Sequence, residues 1–306
     1  MKIPIEELSF ILEKNPIIHT ANADELIQSP RQVEAHYTKH AMTHMSLGNI
    51  KDYEDRLFRY LIQNKRAFVG FVTGDYGLGK TSLLIYLWFL CEEKNVMAVP
   101  PFCWRTLDDF FLAVDSWIIF RLQQHNVKAV EQYRSISDMF TKKSLEKEIN
   151  ELVLYGMQEE DAKEHILKKR KDGTLRLERR MIDLVQFCEQ VTPFLKTIGY
   201  RGLMIFTDEL QESIQNLSPE KVFSYLFELA DNMQDREGQF GFMVGMPTTT
   251  KVQLSDVRSD VLDRLANHRM VIDLTRVYTS QFAVELWQGF AEYFDFLPLK
   301  EQIIHP

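Results

Sequence analysis

The loop Gly74-Asp-Tyr-Gly-Leu-Gly-Lys-Thr81 joins two apolar runs, and this junction constrains the fold more than any other part of the chain. Lys65 to Thr73 reads as a buried strand, and the run after the loop reads as a helix to about Glu93. A loop this rich in glycine lets the backbone curl until consecutive N–H groups converge on one point. The helix that follows adds its N-terminal partial positive charge at the same point. The junction therefore predicts a strand–loop–helix unit built to hold an anion.

The fixed positions sharpen that reading. Gly74, Gly79, Lys80 and Thr81 match G-x-x-x-x-G-K-[ST], and Asp75, Tyr76, Gly77 and Leu78 fill the span between the two glycines. By composition alone, a match somewhere in a chain of this length has a chance on the order of 1%. In this P-loop (Walker A) chemistry the N–H groups of the loop and of Ser82 cradle the phosphates of ATP. Lys80 reaches the β- and γ-phosphates, and the Thr81 hydroxyl ligates Mg²⁺.

Further short apolar runs follow at Val96–Phe102, Leu203–Thr207, Phe240–Gly245 and Met270–Leu274, with helical patterns between them. Strands that are continuously apolar and alternate with helices predict an α/β fold of three layers, a parallel sheet covered on both faces. About a dozen residues suffice for a parallel crossover, yet residues 103–201 separate the second run from the third. The excess is charged and helical, with Leu145, Ile149, Leu152 and Val153 as an apolar stripe, and predicts a helical insertion over about 124–176. Residues 1–51 read as an N-terminal helical segment and 52–275 as the nucleotide-binding core.

Two strand ends carry further chemistry. Asp208 and Glu209 follow Leu203–Thr207: the first can hold Mg²⁺ (the Walker B position), the second can polarise a water for attack on the γ-phosphate. After Phe240–Gly245 comes Met246-Pro-Thr-Thr-Thr250, where Thr248 in the first place, or Thr249, can bridge that water and the phosphate. Arg264, on a helical pattern before the last core strand, is placed to enter a neighbouring subunit's site as an arginine finger.

Together these residues resemble the AAA+ ATPases, nearest to initiator-like and STAND-like members of the origin recognition complex type. The Gly74–Thr81 loop is more distantly similar to ATPases of prokaryotic phage-defence systems such as BREX. The resemblance implies five parallel strands in the order 5-1-4-3-2, ATP bound between protomers of a homo-oligomer or hetero-complex, and a helical lid beginning at 276–306. It implies an Mg²⁺-dependent ATPase that drives assembly or remodelling of a larger, nucleic-acid-related complex. The alternative is a nucleotide-gated switch or scaffold with little turnover. In this chain the expected lid has no arginine at the position that would sense the γ-phosphate.

Composition bounds the remaining possibilities. A formal net charge of −8 predicts no global attraction to nucleic acid or anionic membranes. DNA contact would then run through a partner chain or through the local basic cluster at 168–180. Cys91, Cys103 and Cys188 show no paired spacing, which fits a reduced, cytoplasmic protein. No run of about 18 apolar residues predicts a membrane span. His36, His40 and His44 share a helical face, read as a polar surface rather than a metal site.

Overall fold

The computed structural model describes residues 19–41, 50–125, 127–171, 177, 179–233, 236–257, 270–277 and 284–285. At its centre is a parallel sheet of β1 (Ala21–Asn22), β2 (Phe68–Gly74), β3 (Met97–Cys103), β4 (Leu203–Thr207), β5 (Phe240–Pro247) and β6 (Val271–Asp273). The described helices are α1 (Ala23–Gln28), α2 (Pro30–Ala41), α3 (Ile50–Phe58), α4 (Lys80–Glu93), α5 (Leu107–His125) and α6 (Val127–Leu154). They continue with α7 (Glu159–Lys171), α8 (Met181–Thr197), α9 (Leu210–Asn216), α10 (Pro219–Met233), α11 (Thr248–Val257) and α12 (Leu274–Val277). The strand order is β1-β3-β4-β5-β2-β6.

Every residue of β2, β4 and β5 is buried. Because successive strand residues point to opposite faces, both faces of the sheet are covered, as the unbroken apolar runs require. The expectation of five strands is corrected to six, and the order differs by the added edge strand. Ala21–Asn22 pairs in parallel with Phe102 and Cys103 of β3. Two residues carry no periodic signal, and this pair is held by contacts far away in sequence. The buried Tyr37 hydroxyl accepts from Ala21 N–H (2.7 Å) and donates to the Pro101 carbonyl (3.0 Å).

β3 explains why the edge strand joins so late. Pro100 and Pro101 cannot donate to a ladder, and the register with β4 shifts between Val99 and Phe102. Before the shift, side chains meet the edge at Ala98. Trp88 and Trp117 both donate indole N–H to the Ala98 carbonyl (3.1 and 2.7 Å), and Glu92 accepts from Ala98 N–H (3.0 Å). Backbone polar groups buried here are thereby satisfied.

The insertion packs through α6, but not by the stripe read from sequence. Its buried residues are Ala129, Val130, Tyr133, Ser137 and Phe140, while Val153 is exposed. Ser137 broke the apolar pattern. Its hydroxyl and that of Tyr133 both donate to Asp115 of α5 (2.6 and 2.7 Å), a partner invisible from α6 alone. The chain returns from the insertion at Arg179, whose side chain pairs with buried Asp108 (2.7 Å) and lies 3.8 Å from the Phe111 ring centroid. Arg179 is 6% exposed, so this member of the 168–180 cluster faces inward; Arg180 pairs with Asp183. Residues 172–176 and 178 of the cluster lie outside the described residues.

Candidate functional site

β2 ends at Gly74, opposite Pro247 of β5, and the loop turns there into α4. Leu78 N–H donates to the Asp75 carbonyl (3.3 Å). Gly77 and Gly79 adopt left-handed backbone at φ 81° and 79°, a region that disfavours side-chain-bearing residues. Gly79 is also the residue that opens α4, and no side chain caps that helix. An uncapped helix start leaves N–H groups available to an anion. Lys80 folds back over the loop, donating from Nζ to the Asp75 carbonyl (3.0 Å) with the Tyr76 ring centroid 5.4 Å away. Burial lowers the Lys80 pKa, against the pull of Asp208, Glu209 and Asp75.

Asp208 stands at the tip of β4, 1% exposed. Its Oδ2 accepts from the Thr81 hydroxyl at 2.5 Å, across 127 residues of sequence, and from the Thr20 hydroxyl at 3.1 Å. On the other side Oδ1 packs against Gly245, where an added Cβ would lie 2.1 Å away. Burial raises the Asp208 pKa, and the hydrogen bonds from Thr81, Glu209 N–H and Thr20, with the Lys80 charge, oppose it. Among the described residues no three His, Cys, Asp or Glu side chains cluster to hold a metal by themselves. A cation here would take oxygen donors, from Thr81, Asp208, ligand and water. That donor set suits Mg²⁺, which keeps waters and uses one or two carboxylates with phosphate oxygens.

Glu209 follows directly and opens α9 in left-handed backbone, φ 53°. A non-glycine residue held there stores strain. Its Oε2 accepts from Gln211 Nε2. Burial raises the Glu209 pKa, and the neighbouring Asp208 charge adds to that. Glu209 lines a cavity of about 390 Å³ together with Thr20, Cys103, Trp104, Arg105 and Glu212. Compared with protein-family models and with curated protein sequences, the chain matches none.

Thr248 begins α11 at the end of β5, just past the residue paired with Gly74. Its hydroxyl oxygen is buried with no hydrogen-bond partner among the described residues. A buried hydroxyl without a partner is costly, and this one lies next to the loop. Lys80, Thr81, Asp208 and Glu209 are thus brought together, with Thr248 at the neighbouring strand end. Arg264 and His44 lie outside the described residues, as does most of the expected lid.

Sequence reasoning missed three residues at the site. Thr20 and Gly245 bracket the Asp208 carboxylate, and Gln211 holds Glu209. Thr20 carried no signal in its own stretch of chain. The glycine before Met246-Pro247 could have been flagged, because a glycine inside an apolar strand marks a close approach.

Proposed function

We propose that this chain is an Mg²⁺-dependent ATPase module of the AAA+ type. The observation that carries the reading is the meeting of Thr81 and Asp208 at 2.5 Å, at the foot of an uncapped helix and its glycine loop. A hydroxyl from the first turn of α4 and a carboxylate from the tip of β4 share one point, as a site for a phosphate-bound cation requires.

In this reading the loop N–H groups and Lys80 hold the β- and γ-phosphates. Bound Mg²⁺ would offset negative charge on those phosphates. Glu209 takes a proton from water as its oxygen attacks the γ-phosphorus; the bond to the β-phosphate oxygen breaks, leaving ADP and inorganic phosphate. Thr248 orients the water or the γ-phosphate through its unpartnered hydroxyl. Arg264 acts from a neighbouring protomer, so turnover depends on oligomerisation with copies of this chain or with a partner. The work driven is assembly or remodelling of a larger complex, with any DNA contact made through a partner.

The test combines binding of a fluorescent ATP analogue with phosphate release. Lys80→Ala abolishes binding, whereas Glu209→Gln keeps binding and loses turnover. Wild-type binding that Lys80→Ala leaves intact sinks the P-loop reading, and unchanged turnover in Glu209→Gln sinks the role of Glu209.

A second reading is a nucleotide-gated switch that binds ATP and turns it over slowly. The hydrogen bond from Gln211 to the Glu209 carboxylate favours it, because the base is engaged elsewhere. Oligomer size with ATP, ADP and no nucleotide, measured beside turnover, separates the two readings.

A further inference from the structure

The carboxylate of Asp208 is held in part by contacts from outside the P-loop. The terminal torsion of an Asp side chain is intrinsically soft, so its oxygens face a cation only if neighbours fix them. Three do. Gly245 leaves room for Oδ1, Thr81 donates to Oδ2, and the Thr20 hydroxyl donates to that same Oδ2 at 3.1 Å from 188 residues earlier in the chain. Both members of the Thr20–Asp208 bond are buried, at 6% and 1% exposure. If Thr81 turns its oxygen to a cation, Thr20 is the remaining side-chain hydroxyl on that carboxylate among the described residues.

Thr20 is itself positioned by a chain of local choices. It precedes β1, whose Ala21 pairs with Phe102. Phe102 also pairs with Thr207 on its other side, and its carbonyl accepts from the Asp208 N–H (3.1 Å). One residue of β3 thereby registers the edge strand and the Asp208 backbone against each other. Tyr37 clamps the arrangement by bridging Ala21 N–H and the Pro101 carbonyl, and Asn22 closes a reciprocal capping box with Glu25 at the start of α1. The edge strand is two residues long, yet it is tied at both ends.

We infer that Thr20 is a positioning residue for the cation-side carboxylate, so that residues 20–41 belong to the nucleotide site rather than to a separate segment. The inference rests on the nucleotide reading above. Its role is to hold Oδ2 of Asp208 toward the Thr81 hydroxyl, with no contact to nucleotide. Loss of an outer-shell hydrogen bond of this kind costs about 10- to 100-fold in metal affinity.

The experiment titrates Mg²⁺ against binding of a fluorescent ADP analogue to the full chain, with melting temperature as the fold control. Thr20→Val keeps the shape and removes the donor; it raises the half-saturating Mg²⁺ about 10-fold or more while metal-free binding stays at the wild-type value. Thr20→Ser restores the donor and returns the titration to within about twofold of wild type, a rescue that a packing role would not give. Tyr37→Phe loosens β1 from a distance and shifts the Mg²⁺ requirement the same way; it decides the matter should Thr20→Val fail to fold. A wild-type titration in folded Thr20→Val overturns the inference alone. Wild-type protein that binds no ADP, with or without Mg²⁺, refutes the nucleotide reading itself.

Discussion

Gly245→Ala offers the sharpest separation of fold from site. Gly245 is not at positive φ, so alanine brings no backbone strain; the cost lies in contact. The new Cβ would lie 2.1 Å from Asp208 Oδ1, 2.8 Å from Leu84 Cδ1 and 3.0 Å from Asp208 Cγ. Asp208 must therefore rotate or β5 must shift. Gly241, on the same strand, is the control: its added Cβ would meet Phe68 Cε1 at 2.7 Å and Met204 Sδ at 2.8 Å, with no carboxylate involved. Both substitutions overpack a buried sheet and should cost about 1–3 kcal/mol. At about 2 °C per kcal/mol for a chain of this size, each melts roughly 2–6 °C earlier.

The site-specific part appears on adding Mg²⁺ and ADP. Ligand at about 100 times its Kd stabilises wild type by about 2.7 kcal/mol, and a tenfold weaker Kd removes about 1.4 kcal/mol of that. Gly245→Ala should lose about half of the ligand-induced rise in melting temperature, while Gly241→Ala keeps all of it. The assay is thermal unfolding of both variants with and without Mg²⁺–ADP. Equal ligand shifts in the two would refute the argument that Gly245 makes room for the Asp208 carboxylate.

Thr248→Val removes an orphan hydroxyl without changing shape, so melting temperature should hold or rise while phosphate release falls about 100-fold. A drop in stability would show that the hydroxyl is already satisfied. Glu209 must be ionised to accept a proton, and burial and Asp208 raise its pKa. In the free protein the carboxylate form is therefore lost as pH falls through a value above the ordinary glutamate range of about 4.3, and the acid limb of kcat/KM lies there. A profile flat down to pH 4.5 would count against Glu209 as base. Arg179→Ala leaves Asp108 buried without its cation and bares the Phe111 face, costing about 3–5 kcal/mol in denaturant unfolding. A cost below about 1 kcal/mol would place the pair in solvent.

What was legible in the sequence follows the range of the interactions. Leu203–Thr207 coincides with β4 because a run buried on both faces announces itself by composition. The G-x-x-x-x-G-K-T spacing located the turn between β2 and α4, since the left-handed glycines are a local requirement. Hidden features were those fixed from elsewhere. β1 exists through Phe102 and Tyr37, Ser137 is buried through Asp115, and Thr20 reaches Asp208 across the whole core. On α3 and the π-helical turn Arg59–Gln63 that follows it, Leu57 and Leu61 are buried, while Tyr53 and Tyr60 are only partly covered.

The orientation of Glu209 decides between hydrolase and switch, and Gln211 tests it. Glu209 is fixed at both ends: its backbone is held in the left-handed region at the start of α9, and its carboxylate accepts from Gln211 two residues on. Glu209 lines the cavity with Thr20, Trp104 and Arg105, whose walls include neither Lys80 nor Thr81. Gln211 bears a cost of its own in this arrangement, because its Oε1 is buried without a partner among the described residues. Such a bond restrains the base rather than aiming it. Gln211→Ala should therefore raise kcat several-fold at unchanged KM, since nucleotide contacts are untouched and only the fraction of Glu209 free to turn toward the γ-phosphate grows. Single-turnover phosphate release measures it directly. A fall in kcat instead would mean that Gln211 holds Glu209 in its working position, and the slow-switch reading would lose the observation that favours it.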